Sequence, residues 1–312
     1  MATIKGGKWR KPGCAMILAA VLMTGICCAE GESITVEDAI PREYTTAVKN
    51  GGTVKRFSYP SKDYSGDQAD LTKHGAIYLP PDYSEDQAYD VLILCHGIGG
   101  DENEWGFLNA SCTGRNLTDH LILEGKIQPL IIVMPNGRST AKYTDKSMGN
   151  AASFYVFGQE LRNDLIPYID ANYATWSSKH PDDPAARDHR AMAGLSMGGM
   201  QTINIGLCEC LDLISAFGAF SAAPTSYPAS QIAEKLKHFP DESIHYFYSI
   251  CGTEDGIAYG PASKAAKNLP QYTDRLDETN WLWQERAGEH NFAIWNLGLY
   301  NFLRIRDRLN AN

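Results

Sequence analysis

The chain has 312 residues, of which 44% are hydrophobic and 21% charged, and its formal net charge at pH 7 is −9. This composition allows a sizeable core and excludes bulk disorder. The negative charge and the lack of a basic stripe with interleaved aromatics exclude a nucleic-acid-binding surface. The length suits one α/β domain of roughly 250 to 280 residues with extensions.

The first 29 residues have the pattern of a secretory signal peptide. Four basic residues open it: Lys5, Lys8, Arg10 and Lys11. The apolar run that follows, residues 15–28, is shorter than the about 20 residues of a membrane span. Ala29 is a suitable cleavage residue, and Cys27 and Cys28 would also allow lipoprotein anchoring, although the two residues before them form a poor lipobox. We therefore expect a secreted or extracytoplasmic protein without a membrane span in the mature chain.

A polar lead-in at residues 30–50 precedes a single predicted domain at residues 51–312. Short apolar or β-prone runs and one amphipathic segment divide the first part of this domain. They predict strands at residues 53–59, 74–79, 90–95 and 130–134, and a helix at residues 154–173. Alternation of strands and helices is typical of a mostly parallel sheet covered on both faces.

A glycine-rich segment, His96-Gly97-Ile98-Gly99-Gly100, directly follows the predicted strand at residues 90–95. Such a segment either reverses the chain or supplies backbone N–H groups to a developing oxyanion. The loop after the third strand supplies one oxyanion donor in serine hydrolases of α/β type, so we assign a donor to the N–H of Ile98. His96 precedes the donors and fits a structural role better than that of a base.

The segment Gly194-Leu195-Ser196-Met197-Gly198-Gly199 follows another β-prone run and fits the pattern Gly-x-Ser-x-Gly. A strand that turns through this pattern into a helix presents its serine on a strained bend above the sheet edge. The pattern also occurs in ordinary turns, so its context decides. We predict that Ser196 is the nucleophile and that Met197 supplies the second oxyanion N–H.

The last third of the chain predicts three more strands and three helices, with an acid and a histidine in loops after strands. The strands are predicted at residues 216–221, 244–251 and 281–285, and the helices at 230–238, 261–275 and 291–309. Asp255 follows the second of these strands and His290 the third. The order Ser, Asp, His is that of an α/β-hydrolase, and loops at carboxyl strand ends meet at one sheet edge. The sequence therefore predicts an α/β-hydrolase fold with the triad Ser196, Asp255 and His290.

Five cysteines lie outside the predicted signal: Cys95, Cys112, Cys208, Cys210 and Cys251. Cys95 and Cys251 end predicted core strands and are expected to be buried apolar residues. Cys208 and Cys210 form a Cys-x-Cys pair, but the second pair of ligands that a zinc site needs is missing. A disulfide from Cys112 to another of the five stays open.

Several segments resemble one known family. They are the glycine-rich segment extended to Trp105, the serine motif, Cys251-Gly252-Thr253-Glu254-Asp255, and His290-Asn291-Phe292-Ala293-Ile294-Trp295. From about Tyr59 to the C-terminus the chain is similar to hydrolases of carbohydrate esterase family 1 and of the esterase D type, most of all to feruloyl esterases that act on xylan. The resemblance implies an α/β-hydrolase fold, a Ser-His-Asp triad and no metal or organic cofactor.

The substrate stays open among related esters. The leading hypothesis is a secreted esterase of feruloyl or cinnamoyl esters, from plant cell-wall polysaccharides or small hydroxycinnamates. Acetylxylan esterase, general carboxylesterase and S-formylglutathione hydrolase are alternatives, as is a non-catalytic carbohydrate-binding protein on this scaffold. Trp105 and Trp295 flank the proposed site in sequence and are predicted to stack on a phenolic acyl group, although each would also serve as a packing residue.

Overall fold

The computed structural model describes residues 35–310, and side chains as far as Arg306. An eight-stranded sheet is the centre of this region. Its strands are β1 (Thr53–Lys62), β2 (Asp70–Leu79), β3 (Asp90–Cys95), β4 (Leu130–Pro135), β5 (Arg190–Leu195), β6 (Ala216–Phe220), β7 (Tyr246–Gly252) and β8 (Trp281–Arg286).

The strands lie in the order β1-β2-β4-β3-β5-β6-β7-β8. The first two pairings, β1 with β2 and β2 with β4, are antiparallel. All the others are parallel, and each neighbour of β5 pairs along almost its whole length, as in Cys95 opposite Gly194 and Leu195 opposite Phe220. The carboxyl ends of β3, β5, β6, β7 and β8 therefore share one edge of the sheet.

Helices cover both faces of the sheet. They are α1 (Thr113–Leu123), α2 (Phe157–Glu160), α3 (Ile166–Asn172), α4 (Trp176–Lys179), α5 (Met197–Gln201), α6 (Ala229–Leu236), α7 (Tyr259–Tyr272) and α8 (Phe292–Asn310). A π-helical turn, Leu161–Leu165, joins α2 to α3, and another, Thr202–Leu207, extends α5. None of the helices among the described residues is both long and apolar enough to cross a bilayer.

The central strands divide the core into two apolar layers. In β3, Leu92 and Leu94 pack on the face covered by α1 and α8, whereas Val91 and Ile93 pack on the opposite face with the α2–α3 segment. A strand buried on both faces is apolar at every position, not at alternate ones. The run of residues 90–95 has this pattern, which explains why it was recognisable as a central strand.

The α/β-hydrolase fold predicted from the sequence is confirmed, with a mostly parallel sheet between helices. Helix α1 was not predicted. Its interior includes Asn116, Thr118 and Asp119, which are weak helix formers. Here the Asn116 side chain donates to the Thr45 carbonyl at 3.1 Å, and Asp119 accepts from the Gly52 N–H at 2.7 Å. Tertiary contacts thus compensate for a low local propensity.

Part of the predicted lead-in packs on this domain. Tyr44 is buried and donates to Glu124 at 2.5 Å, and the Glu37 N–H donates to the Asn301 side chain at 2.9 Å. The predicted signal peptide, residues 1–29, lies outside the described residues. The five cysteines discussed above are all unpaired in the structure.

Candidate active site

Ser196 lies on a strained turn between β5 and α5. Its backbone has φ 51° and ψ −115°, a conformation that L-residues rarely adopt outside functional sites. Two glycines make this turn possible. A Cβ on Gly194 would lie 2.5 Å from the Gly198 carbonyl carbon, and a Cβ on Gly198 would lie 2.6 Å from the Cys95 carbonyl oxygen. The pattern Gly-x-Ser-x-Gly is therefore required here by close backbone contacts.

Backbone hydrogen bonds fix the turn to the next strand. The Ser196 N–H donates to the Phe220 carbonyl at 3.0 Å, and the Ser196 carbonyl accepts from the Ala223 N–H at 2.9 Å. Both partners lie at the carboxyl end of β6 or just beyond it. These bonds hold Ser196 at the sheet edge, where 9% of its surface is exposed to solvent.

Asp255 and His290 form a direct pair at the same edge, after β7 and β8, which are two and three strands from β5. His290 Nδ1 lies 2.7 Å from Asp255 Oδ2. The other carboxylate oxygen accepts from the N–H groups of Ile257 at 3.0 Å and Ala258 at 2.9 Å. Burial alone would raise the pKa of Asp255, but these bonds from Ala258, His290 and Ile257 outweigh it and lower the pKa. The carboxylate is therefore ionised at neutral pH and orients the imidazole.

Cys251 adds a contact to this pair that the sequence did not reveal. Its buried thiol lies 3.5 Å from Asp255 Oδ2, the oxygen that also binds His290. Burial raises the pKa of the Cys251 thiol to about 12, so the sulfur keeps its proton and acts as a weak donor. The prediction that Cys251 is buried is confirmed, but the residue also contacts the acid.

Trp295 packs against the histidine. Its indole meets the His290 ring edge to face, with centroids 5.1 Å apart, and contacts Phe292 in the same manner at 4.9 Å. The residue is 8% exposed. Trp295 thus lies beside His290, and the greater part of its indole faces the protein.

Trp105 lies in the core, which corrects the prediction that it lines an acyl pocket. The residue is 2% exposed, and its indole N–H donates to the Cys95 carbonyl at 3.0 Å. Its ring packs edge to face on Phe220 and Phe292. A tryptophan next to a glycine-rich loop in sequence is thus used to fill the space beneath the loop.

The two predicted oxyanion donors come together. Ile98 and Met197 both pack in a small apolar cluster with Phe154, Met200 and Ala223. Among residues 35–310, no acceptor binds the N–H of Ile98. Met197 is the first residue of α5, where backbone N–H groups lack partners within the helix. The loop that carries Ile98 also approaches the serine, since a Cβ on Gly97 would lie 3.3 Å from Ser196 Cβ.

His96 has the structural role expected of it. The residue is buried, Nδ1 lies 2.6 Å from the Gly97 carbonyl, and Nε2 accepts from the Gly137 N–H at 3.1 Å. Burial lowers the pKa of His96 to about 3, so the ring is neutral, with its proton on Nδ1. It connects the loop after β3 to the loop after β4.

Comparison with known proteins assigns the family. The Esterase family model matches residues 71–298. The chain belongs to this family. It is a carboxylic ester hydrolase of the α/β-hydrolase fold.

Two curated relatives of this esterase are xylan-degrading enzymes by name. Endo-1,4-beta-xylanase Y of Acetivibrio thermocellus is 33% identical over 226 residues, or 67% of this chain and 19% of the relative. Endo-1,4-beta-xylanase/feruloyl esterase of Xylanibacter ruminicola is 32% identical over 261 residues, or 81% of this chain and 31% of the relative. The esterase thus spans less than a third of either protein.

Solved structures of feruloyl esterases resemble the fold. A serine-to-alanine mutant of the feruloyl esterase module from Clostridium thermocellum, complexed with sinapinate, superposes with a TM-score of 0.72 at 25% identity, covering 88% of this chain and 94% of the module. A CE1 ferulic acid esterase from Anaeromyces mucronatus superposes with a TM-score of 0.69 at 22% identity, covering 87% of this chain and 97% of that one. The latter likeness concerns the fold alone.

The loop after β4 carries site residues that the sequence did not predict. Arg138 is fully buried and donates to the carbonyls of Gly100, at 2.8 Å, and Ile98. Gln201 of α5 donates to the Gly137 carbonyl at 2.8 Å. Asn136-Gly137-Arg138 follows a predicted central strand, and that placement at the sheet edge is the signal that would have found it.

A cleft of about 410 Å³, lined mostly by apolar residues, lies between α6 and α7, beside the turn that carries Ser196. Ser196, Asp255 and His290 do not line it, but one end is formed by Ala222 and Ala223, the segment whose N–H binds the Ser196 carbonyl. Within the described part of the esterase, no group of three or more His, Cys, Asp or Glu side chains is placed to hold a metal ion.

Proposed function

We propose that this esterase hydrolyses feruloyl and related hydroxycinnamoyl esters of plant cell-wall xylan through an acyl-enzyme on Ser196. The observation that carries the proposal is the 2.7 Å bond between His290 and Asp255 at the sheet edge that also presents the strained serine. The names of the relatives, a xylanase/feruloyl esterase and a feruloyl esterase module, supply the substrate class.

Catalysis begins with proton transfer from Ser196 to His290. As the hydroxyl oxygen attacks the ester carbonyl, His290 Nε2 takes its proton, and the ionised Asp255 stabilises the resulting imidazolium. The Asp255 bond at Nδ1 selects the tautomer that leaves Nε2 free to accept that proton. A buried, hydrogen-bonded carboxylate can therefore both stabilise the imidazolium and select the tautomer.

The negative charge of the tetrahedral intermediate falls on the former carbonyl oxygen. The free N–H groups of Ile98 and Met197 bind that oxygen, and each such donor contributes about 10²–10³ in turnover. His290 then gives its proton to the departing sugar hydroxyl, leaving a feruloyl ester on Ser196. Water, activated by the same histidine, releases the acid in the second half of the reaction.

The cleft between α6 and α7 provides a place for the aromatic acyl group. Its volume, about 410 Å³, lies within the range of small-molecule sites, and its rim at Ala223 adjoins the nucleophile. A planar phenolic ring buries well against such apolar walls, whereas an acetyl group gains little there. Trp295, which contacts His290, is the remaining predicted aromatic contact for the substrate.

The substrate proposal is tested by comparing kcat/KM for methyl ferulate and methyl acetate in the full chain and in Ala262→Trp. Ala262 is half-buried on the wall of the cleft, so the indole narrows it. We expect the wild type to prefer methyl ferulate, and the variant to lose about tenfold on methyl ferulate and less than twofold on the acetyl ester. Equal or better use of methyl acetate by the wild type would favour the acetylxylan esterase alternative.

The second part of the proposal is secretion. Residues 1–29 combine a basic start with an apolar run. Expression of the full chain in a bacterial host, followed by N-terminal sequencing of the protein outside the cytoplasm, tests it. Cleavage near Ala29 is expected, and an uncleaved cytoplasmic product would contradict the proposal.

A further inference from the structure

Arg138 lies behind the oxyanion loop, which we define as residues 96–100. Its side chain is fully buried, and its guanidinium donates to the carbonyls of Ile98 and Gly100. The guanidinium also stacks 4.8 Å above the Phe154 ring. No other side chain in the described part of the chain donates to these two carbonyls.

The guanidinium binds the loop through carbonyl groups and does not engage the Ile98 N–H. Because a trans peptide is planar, its carbonyl and its N–H point in opposite directions. The Gly97 carbonyl is bound by His96 at 2.6 Å and by the Gly100 N–H at 3.2 Å, so the Ile98 N–H in the same peptide points the opposite way. Arg138 fixes the carbonyl of the next peptide, Ile98–Gly99, so both peptides that flank Ile98 are anchored and rotation about its backbone bonds is restricted.

A neutral side chain would not replace this arrangement. Arg138 presents several N–H donors in one plane, so it bridges two carbonyls whose negative ends converge on it. Carboxylates of Asp101 and Glu104 lie near enough to favour its charge, although burial lowers the Arg138 pKa. Glu104 accepts from the Gly97 N–H at 2.6 Å, which anchors the start of the loop on the other side.

We propose that Arg138 is a positioning residue for catalysis: it holds the carbonyls of Ile98 and Gly100 so that the Ile98 N–H stays directed at the oxyanion. The inference rests on the proposed esterase mechanism. It assigns to Arg138 an effect on the transition state and not on the bound ester, because the oxyanion develops only during the reaction.

The test compares Arg138→Met and Arg138→Lys with Arg162→Met, measuring kcat, KM and melting temperature on one ester. Arg162 is a suitable control because its pair with Asp212 lies at the surface. We expect Arg138→Met to lower kcat about 10- to 100-fold with KM within about twofold, in line with the loss of part of one oxyanion donor. The kcat of Arg138→Lys should lie between those of the wild type and Arg138→Met, because an ammonium does not bridge both carbonyls in one plane.

A transition-state analogue separates positioning from general destabilisation. A trifluoromethyl ketone that forms a tetrahedral adduct with the serine should bind Arg138→Met more weakly by the same factor as kcat/KM falls, while the affinity for the free product acid stays the same. If Arg138→Met does not fold, the same ratio in Arg138→Lys decides.

Three results would overturn the inference: an unchanged kcat, a loss confined to KM, or equal weakening of analogue and product. If the wild type is active and any of these three results is found, the proposed esterase function is unaffected and only the role of Arg138 is contradicted. A wild type inactive on every ester would instead contradict the proposed function.

Discussion

Two histidine–aspartate pairs of equal length lie at opposite ends of the sheet. His290 Nδ1 is 2.7 Å from Asp255 after β7 and β8, and His189 Nδ1 is 2.7 Å from Asp90 at the amino ends of β3 and β5. By bond length alone the two are indistinguishable. Their surroundings differ completely.

The pair at the amino end is used for packing and charge balance. The Trp176 ring lies flat on His189, with centroids 3.7 Å apart, and Arg306 donates to the second oxygen of Asp90 at 2.6 Å. The pair at the carboxyl end instead has backbone N–H groups on Asp255, and a strained serine follows β5 at the same edge of the sheet. We therefore expect the Asp255–His290 pair, and not the Asp90–His189 pair, to act in catalysis.

The largest effect on kcat is expected from replacing the proposed nucleophile, Ser196. Ser196→Ala should lower kcat on the order of 10⁵-fold and leave the melting temperature nearly unchanged, because one oxygen is removed. The matched control is Ser221→Ala: Ser221 also has a positive φ, 45°, and follows the next strand, but it is fully buried. We expect the control to retain its activity. More than about a tenth of wild-type activity in Ser196→Ala would mean that another residue is the nucleophile.

The next effect concerns the acid of the active pair. Asp255→Asn should lower kcat on the order of 10⁴-fold at neutral pH, because an amide favours the wrong imidazole tautomer. Glu254→Gln, one residue earlier and exposed, should change kcat less than twofold. Steady-state rates on one ester check both. The reverse ranking would assign the acid to Glu254 and contradict the hydrogen bond to His290.

The smallest effect on activity is expected from a substitution in the His189–Asp90 pair. Asp90→Asn should leave kcat within about twofold but lower the free energy of unfolding at pH 7 by about 1–3 kcal/mol, because a partly buried charged hydrogen-bond network is broken. Burial alone would raise the Asp90 pKa, but the bonds from His189 and Arg306 lower it. Denaturant unfolding and rates measured on the same samples check both halves of the prediction.

The sign of the pH dependence follows from that lowered pKa. A carboxyl whose pKa is lower in the folded state contributes stability above its unfolded value, about 3.9, and this contribution is lost as the pH falls through the folded value. The stability difference between wild type and Asp90→Asn should therefore be full at pH 7 and shrink below about pH 4. A difference that stayed constant down to pH 2 would mean that Asp90 is not the titrating group.

Sequence patterns identified the active pair but not its counterpart. Asp255 and His290 follow predicted strands, so the edge they share was predictable. His189 directly precedes β5, and its pairing with Asp90 depends on the order of β3 and β5, which a single sequence does not specify. The fold class was predictable because it depends on the alternation of strands and helices along the chain.

The supporting contacts were beyond the reach of the sequence. Arg138 reaches a loop about 40 residues earlier, and Cys251 contacts Asp255 through a turn whose geometry is set by β7. Trp105 was misjudged because nearness in sequence does not determine which way a ring points, and the core beneath the loop needed a large side chain. Propensity also failed for α1, where tertiary hydrogen bonds compensate for weak helix formers.

Covalent trapping tests most directly the claim that the carboxyl-end pair activates Ser196. The full chain is mixed with excess methyl ferulate, quenched in acid within milliseconds, digested with chymotrypsin, which cleaves after Phe217 and Phe220 and so separates Ser196 from Ser221, and examined by mass spectrometry, with Ser196→Ala treated in parallel. We expect one feruloyl group on the wild-type peptide that contains Ser196 and none on the variant. A feruloyl group on the peptide that contains Ser221, or labelling that persists in Ser196→Ala, would contradict the account.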